Sequence, residues 1–124
     1  MVSRIIDEIH PDYLTIENEP GTQRFNTGLD ISVENQTKIV REILDGLDRK
    51  GVRIGAGAGT LEKPSYFKSL AENTTIDYID MHVYPVAGKI LTERIKEISM
   101  IARQNNKGLA IGEAWLYKAT DREL

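Results

Sequence analysis

Seven side chains, Glu17, Asn18, Glu19, His82, Tyr84, Glu113 and Trp115, are of the types that bind and cleave polar substrates, and they fall into three short clusters. Two carboxylates that converge can serve as proton donor and as nucleophile or base, the minimum equipment for breaking a glycosidic bond. Glu19 and Glu113 are the natural pair. Glu17 lies two residues before Glu19 on the same face of an extended segment, and spacing alone leaves the choice between them open. A single Glu at a loop start reads equally as a solvated side chain or a helix cap. The case for chemistry therefore rests on company: Asn18 beside Glu19, His82 near Tyr84, and Trp115 two residues past Glu113.

Residues so far apart in sequence need elements that bring them together. Tyr13–Glu17, Val52–Gly55, Tyr78–Val83 and Leu109–Gly112 are apolar or β-branched runs bounded by Gly, Pro or Asp, which predicts four strands. Their near-continuous hydrophobicity predicts a parallel sheet covered on both faces. Val33, Thr37, Val40, Ile43, Leu44 and Leu47 recur at helical spacing, with Ser32 placed to cap the start and Gly51 just beyond the end. Leu91, Ile95, Ile98 and Ala102 repeat the pattern before Gly108. Pro64 to Leu70 supports a shorter helix, and Val2, Ile5, Ile6 and Ile9 form one more, stopped by Pro11. Strand starts at 13, 52, 78 and 109 follow the ~30-residue rhythm of serial βα units. Each reactive cluster then sits at the carboxyl end of a strand, the rim where parallel α/β folds bind ligands.

Composition narrows the function classes. A chain of 124 residues is one domain, 1–124, with 40% hydrophobic and 28% charged residues and a net charge of −3. No basic run with interleaved aromatics exists to grip nucleic acid, and no apolar stretch reaches the ~18 residues a membrane span needs. With no Cys, disulfides, thiolate metal sites and Cys nucleophiles are all excluded. Met1 to Glu8 brings charge at once and reads as something other than a signal peptide, and the compartment stays open.

Two other motifs carry weaker signals. Gly55-x-Gly57-x-Gly59 after a strand suggests a phosphate cradle, but Thr60 stands where the dinucleotide fingerprint wants Gly and no Gly-Lys-Ser/Thr follows. Small residues making room in a cleft explain it better. His82 with Glu17, Glu19 or Glu113 could be assembled into a metal site, yet the chain has two His and no His-x-x-x-His pair, so neither metal nor cofactor is expected. His10, beside Pro11, reads as a surface residue.

Taken together, Asn18-Glu19-Pro20, His82-Val83-Tyr84 and Gly112-Glu113, in that order with a βα unit between each, resemble the fourth, sixth and seventh strand ends of the clan A (β/α)8 retaining glycoside hydrolases. Gly55 to Thr60 would close strand five. The resemblance implies Glu19, rather than Glu17, as general acid/base and Glu113 as nucleophile. It further implies Asn18 on the sugar 2-hydroxyl, His82 in substrate contact and Tyr84 hydrogen-bonded to Glu113. Trp115 is placed to stack on a sugar. The expected fold is α/β, a partial (β/α)8 barrel of four parallel strands with flanking helices, and the expected partner is a poly- or oligosaccharide. Since such barrels usually need ~200 or more residues, strands one to three and eight have no counterpart, nor do the clan's strand-two arginine and strand-eight tryptophan. Self-association through exposed barrel edges is expected. A rival reading is a non-catalytic carbohydrate-binding or scaffold fragment that keeps the rim without turnover.

Overall fold

The computed structural model describes residues 1–84 and 88–114. Along the chain run α1 (Val2–Ile9), β1 (Tyr13–Glu17), α2 (Pro20–Thr27), α3 (Val33–Leu44), β2 (Arg53–Gly59), α4 (Pro64–Asn73), β3 (Tyr78–Val83), α5 (Gly88–Gln104) and β4 (Gly108–Ala114). The strands form one parallel sheet in sequential order, β1-β2-β3-β4, which is the arrangement that serial βα units generate. The expected α/β class and four parallel strands are therefore present.

Local chemistry accounts for the helix limits. The Ser32 hydroxyl accepts the Asn35 N–H at 3.1 Å, as its cap position predicts, a contact of about 1 kcal/mol. Helix α3 stops at Leu44 rather than near Gly51, because Gly46 turns left-handed (φ 69°) and breaks the repeat, although Leu47 still packs against the apolar cluster below. Helix α2 was not expected from the periodicity, since Phe25 is the one large apolar residue in it and is exposed. Its signals are punctuation instead: Pro20 opens the first turn and Gly28 (φ 74°) closes the last.

Burial is uneven across the sheet. Ala56, Ala58, Ile79 and Met81 are fully buried, packed with Val40, Phe67, Leu70, Ile98 and Ala102 of three helices. A second cluster joins Ile6 of α1 to Val52 and Ile54, and both clusters share Ile16 and Leu44, so α1, α3, α4 and α5 meet one continuous apolar layer. Strand β4 departs from the expectation of double coverage: Leu109 is 38% and Ile111 57% exposed, although α5 packs against the strand.

The glycines of β2 belong to the strand, which runs to Gly59 instead of ending at Gly55. Their function is steric. A Cβ on Gly55 would collide with the Tyr78 ring, one on Gly57 would overlap the Asp80 carbonyl oxygen, and one on Gly59 would lie 2.9 Å from the Tyr84 ring. The glycine column thus lets β3 lay large side chains over its neighbour, which answers the phosphate-cradle question in favour of packing. Gly57→Ala is expected to cost at least ~2 kcal/mol, lowering the melting temperature by roughly 5–10 °C. A thermal melt within about 2 °C of wild type would show that this close approach is not required.

Candidate active site

The carboxyl edge of the sheet gathers Glu19, His82 and Glu113 from three separate elements. Nδ1 of His82 lies 3.0 Å from Glu19 Oε1 and 3.3 Å from Glu113 Oε2, and one oxygen of each carboxylate lies within 4.8 Å of the other. At an effective dielectric constant of ~20, two ionised carboxylates this close repel by about 3 kcal/mol before solvent screening. The imidazole of His82 stands between them.

Backbone strain holds Glu19 in place. It sits left-handed (φ 55°, ψ 60°) at the head of α2, directly before a proline. That conformation is disfavoured for a non-glycine residue and again for a residue preceding proline, at a cost of order 1–3 kcal/mol. Asn18 supports it by accepting the Glu19 N–H on its own Oδ1 at 2.8 Å. The Asn18 amide therefore shapes this turn, while its Nδ2 makes only a 3.5 Å contact with the Asp80 carbonyl and keeps donor capacity for a ligand.

Residues that the sequence reading passed over form the floor. Asp80 is 4% exposed, and its carboxylate accepts the Thr15 hydroxyl at 2.7 Å and the Gly112 N–H at 2.8 Å, tying β1, β3 and β4 together. Thr15 also shares a 2.9 Å hydrogen bond with the Tyr78 hydroxyl, whose burial pushes its pKa up. Thr60, likewise buried, donates its N–H to the His82 carbonyl at 2.8 Å and accepts the Tyr84 N–H on its hydroxyl at 3.1 Å, clamping the strand on both sides of Val83. A period-two signal was present for Asp80: Tyr78, Asp80, His82 and Tyr84 alternate with Ile79, Met81 and Val83.

The remaining candidates fall as follows. Tyr84 lies against Gly59 and lines, with Glu19, Phe25, Leu61 and Glu62, a cleft of about 230 Å³. Among the described residues its hydroxyl makes no hydrogen bond to Glu113, and His82 Nδ1 faces that carboxylate instead. Trp115 lies outside the described residues. Glu17 is not joined to the Glu19–His82–Glu113 cluster; its carboxylate accepts Gln23 Nε2 within the scaffold. His10 is exposed, as expected. A larger groove of about 890 Å³ runs between α3 and α4, but it is open, walled by Lys38, Arg41 and Glu42, and remote from this rim. Glu19, His82 and Glu113 offer three donor atoms within 4.8 Å and could hold a cation, with water or substrate completing its shell.

No family model, curated protein or solved structure matches the chain. The site must be argued from its own geometry.

Glu17 supplies a pH test of that geometry. Burial raises its pKa above the ordinary 4.5, against the opposing hydrogen bonds of Gln23 and Gln36. Between the ordinary and the raised value the folded state binds more protons than the unfolded chain, so this residue makes stability fall as pH rises through that window. Glu17→Gln should abolish that fall, so the change in urea midpoint from pH 4 to pH 7 should be more positive than in wild type. An unchanged pH dependence would remove Glu17 from the half-buried position described.

Proposed function

We propose that the chain is the catalytic-rim portion, strands four to seven, of a clan A-like (β/α)8 retaining glycoside hydrolase acting on O-glycosidic bonds of a poly- or oligosaccharide. The observation that carries this reading is the approach of Glu19 and Glu113 to within 4.8 Å across the rim. Retaining pairs stand ~5–5.5 Å apart, whereas inverting pairs need ~6.5–9.5 Å to admit water.

In the first step a Glu113 oxygen attacks the anomeric carbon while the bond to the leaving oxygen breaks and Glu19 gives that oxygen its proton. The Glu19 carboxylate then takes a proton from water, which attacks the same carbon and frees Glu113. Anomeric configuration is retained by two inversions. Azide distinguishes the roles, in this chain and in any longer polypeptide that contains it. Glu19→Ala should lower turnover by roughly 10²–10⁴-fold, while an aryl glycoside with a good leaving group still forms the glycosyl-enzyme and azide captures it as a retained glycosyl azide. Glu113→Gly should form no glycosyl-enzyme, and azide should then give the inverted product. The opposite pattern swaps the two assignments. Loss of wild-type turnover on chelation with EDTA would move the cluster to the metal reading.

The rival reading, carbohydrate binding without turnover, is favoured by the exposure of β4 and by edges of β1 and β4 that pair with no further strand among the described residues. Those edges also suggest assembly, because unpaired parallel edges with exposed Leu109 and Ile111 are templates for strand addition. Sedimentation should show a dimer or larger species. A monomer at all concentrations, with no dye-binding apolar surface, would count against assembly.

A further inference from the structure

Beside Glu19 the rim opens into the cleft of about 230 Å³ that Phe25, Leu61, Glu62 and Tyr84 also line. It lies past the ends of β1 and β2, whereas Glu113 belongs to β4 at the other edge of the sheet. Its walls are of two kinds. Phe25 and Leu61 are 90% and 67% exposed, large apolar surfaces left open to water among the described residues, and the Tyr84 ring stands against Gly59. Glu62 is the polar wall. Its N–H donates to the Gly59 carbonyl at 3.0 Å, and its carboxylate reaches the first turn of α2, where a Cβ on Gly21 would collide with it. An anion is favoured at a helix N-terminus, and α2 has no acid in its own first turn, so Glu62 is held there. The cleft thus carries two carboxylates, Glu19 and Glu62, and no Lys, Arg or His among the described residues that line it.

We propose that this cleft binds the one sugar unit on the leaving side of the scissile bond, and that it selects a neutral unit over a uronic acid. Assignment to the leaving side rests on the glycosidase reading; the preference for a neutral sugar rests on the cleft itself. A group that gives its proton to the departing oxygen must face that oxygen, so the unit carrying it extends past Glu19 and away from Glu113. The cleft lies on that side. A pyranose ring presents a face of C–H groups and a rim of hydroxyls. Its face covers the open Phe25 ring and Leu61, removing apolar surface from water, and a hydroxyl at its rim donates to the Glu62 carboxylate. Volume limits the occupant: about 230 Å³ is roughly the share of eight liquid waters, room for one ring and not for a chain. A uronate would bring its charge against Glu62 with no cation among the lining residues to receive it, and like charges placed together at a binding surface exclude the wrong partner.

The test is titration of the full chain with the methyl glycosides of glucose, galactose, mannose and xylose, and with glucuronate and galacturonate, followed by NMR through the backbone amides of Gly21, Phe25, Leu61 and Glu62. At least one neutral glycoside should shift these signals saturably, and neither uronate should match it. Phe25→Ala, at an exposed position, should keep the wild-type melt and weaken that binding by roughly three- to tenfold. Glu62→Gln keeps an acceptor and removes the charge, so the margin of the neutral sugar over the uronates should shrink by roughly three- to fivefold. No saturable shift with any of the four neutral glycosides, a uronate that binds as tightly as the best of them, or binding that Phe25→Ala leaves unchanged overturns the proposal. The two readings fail separately. A sugar bound in the cleft of a chain that turns over no oligosaccharide would keep the sugar site and count against the glycosidase reading. Turnover of oligosaccharides with a cleft that responds to no sugar would keep that reading and overturn the proposal.

Discussion

The carboxylate of Asp80 is the constraint around which the rim is arranged. A buried carboxylate is costly unless its oxygens are satisfied, and here the Thr15 hydroxyl and the Gly112 N–H supply the donors. The consequences spread outward along three strands. Position 15 must carry a short hydroxyl on the same side of the sheet as Asp80, and position 112 must lack a side chain. Glu113 follows directly on the anchored Gly112, opposite His82 and just beyond the register shift between Met81 and His82. Fixing one buried charge thus fixes where a more exposed one emerges.

Unfavourable terms concentrate at the same edge. Glu19 adopts a backbone conformation that costs free energy, and two carboxylates stand close enough to repel. None of this stabilises the fold. The offsetting terms lie in the layer of Ile54, Ala56, Ile79, Met81, Phe67 and Leu70, all fully buried, where each large side chain contributes about 1.5–3 kcal/mol through loss of contact with water. The strain at Glu19 is one of the observations behind the proposed site.

Much of the architecture was legible because apolar periodicity and punctuation agree. Ser32, Pro64 and the run Tyr78–Val83 each said the same thing at the level of cap, turn and pattern. What the pattern missed has physical reasons. Gly55 to Gly59 looks like a loop because glycine is a poor strand former, yet it is a strand whose missing side chains admit those of β3. Asp80 was hidden because a lone acid inside an apolar strand declares no partner until Thr15 and Gly112 are brought beside it. Glu19 and Glu113 were findable as a pair, since one follows a strand and the other lies in the last residues of one, whereas the central place of His82 between them depends on a three-dimensional approach that no spacing encodes.

The choice between the proposed catalytic rim and its rival, a proposed passive sugar-binding rim, turns on what each would require of these groups. Hydroxyl recognition needs donors and acceptors that are mutually comfortable, and amides or a single carboxylate serve without repulsion. A pair of acids held within 4.8 Å is a poor choice for that purpose, because close approach brings both into conflict whenever both are ionised. The same approach is what a double displacement demands, with one oxygen free to attack and another holding a proton. His82 is in reach of both acids. The strained backbone at Glu19 points the same way: a binding residue could sit in relaxed geometry and lose little, while a proton donor must be aimed at one bond.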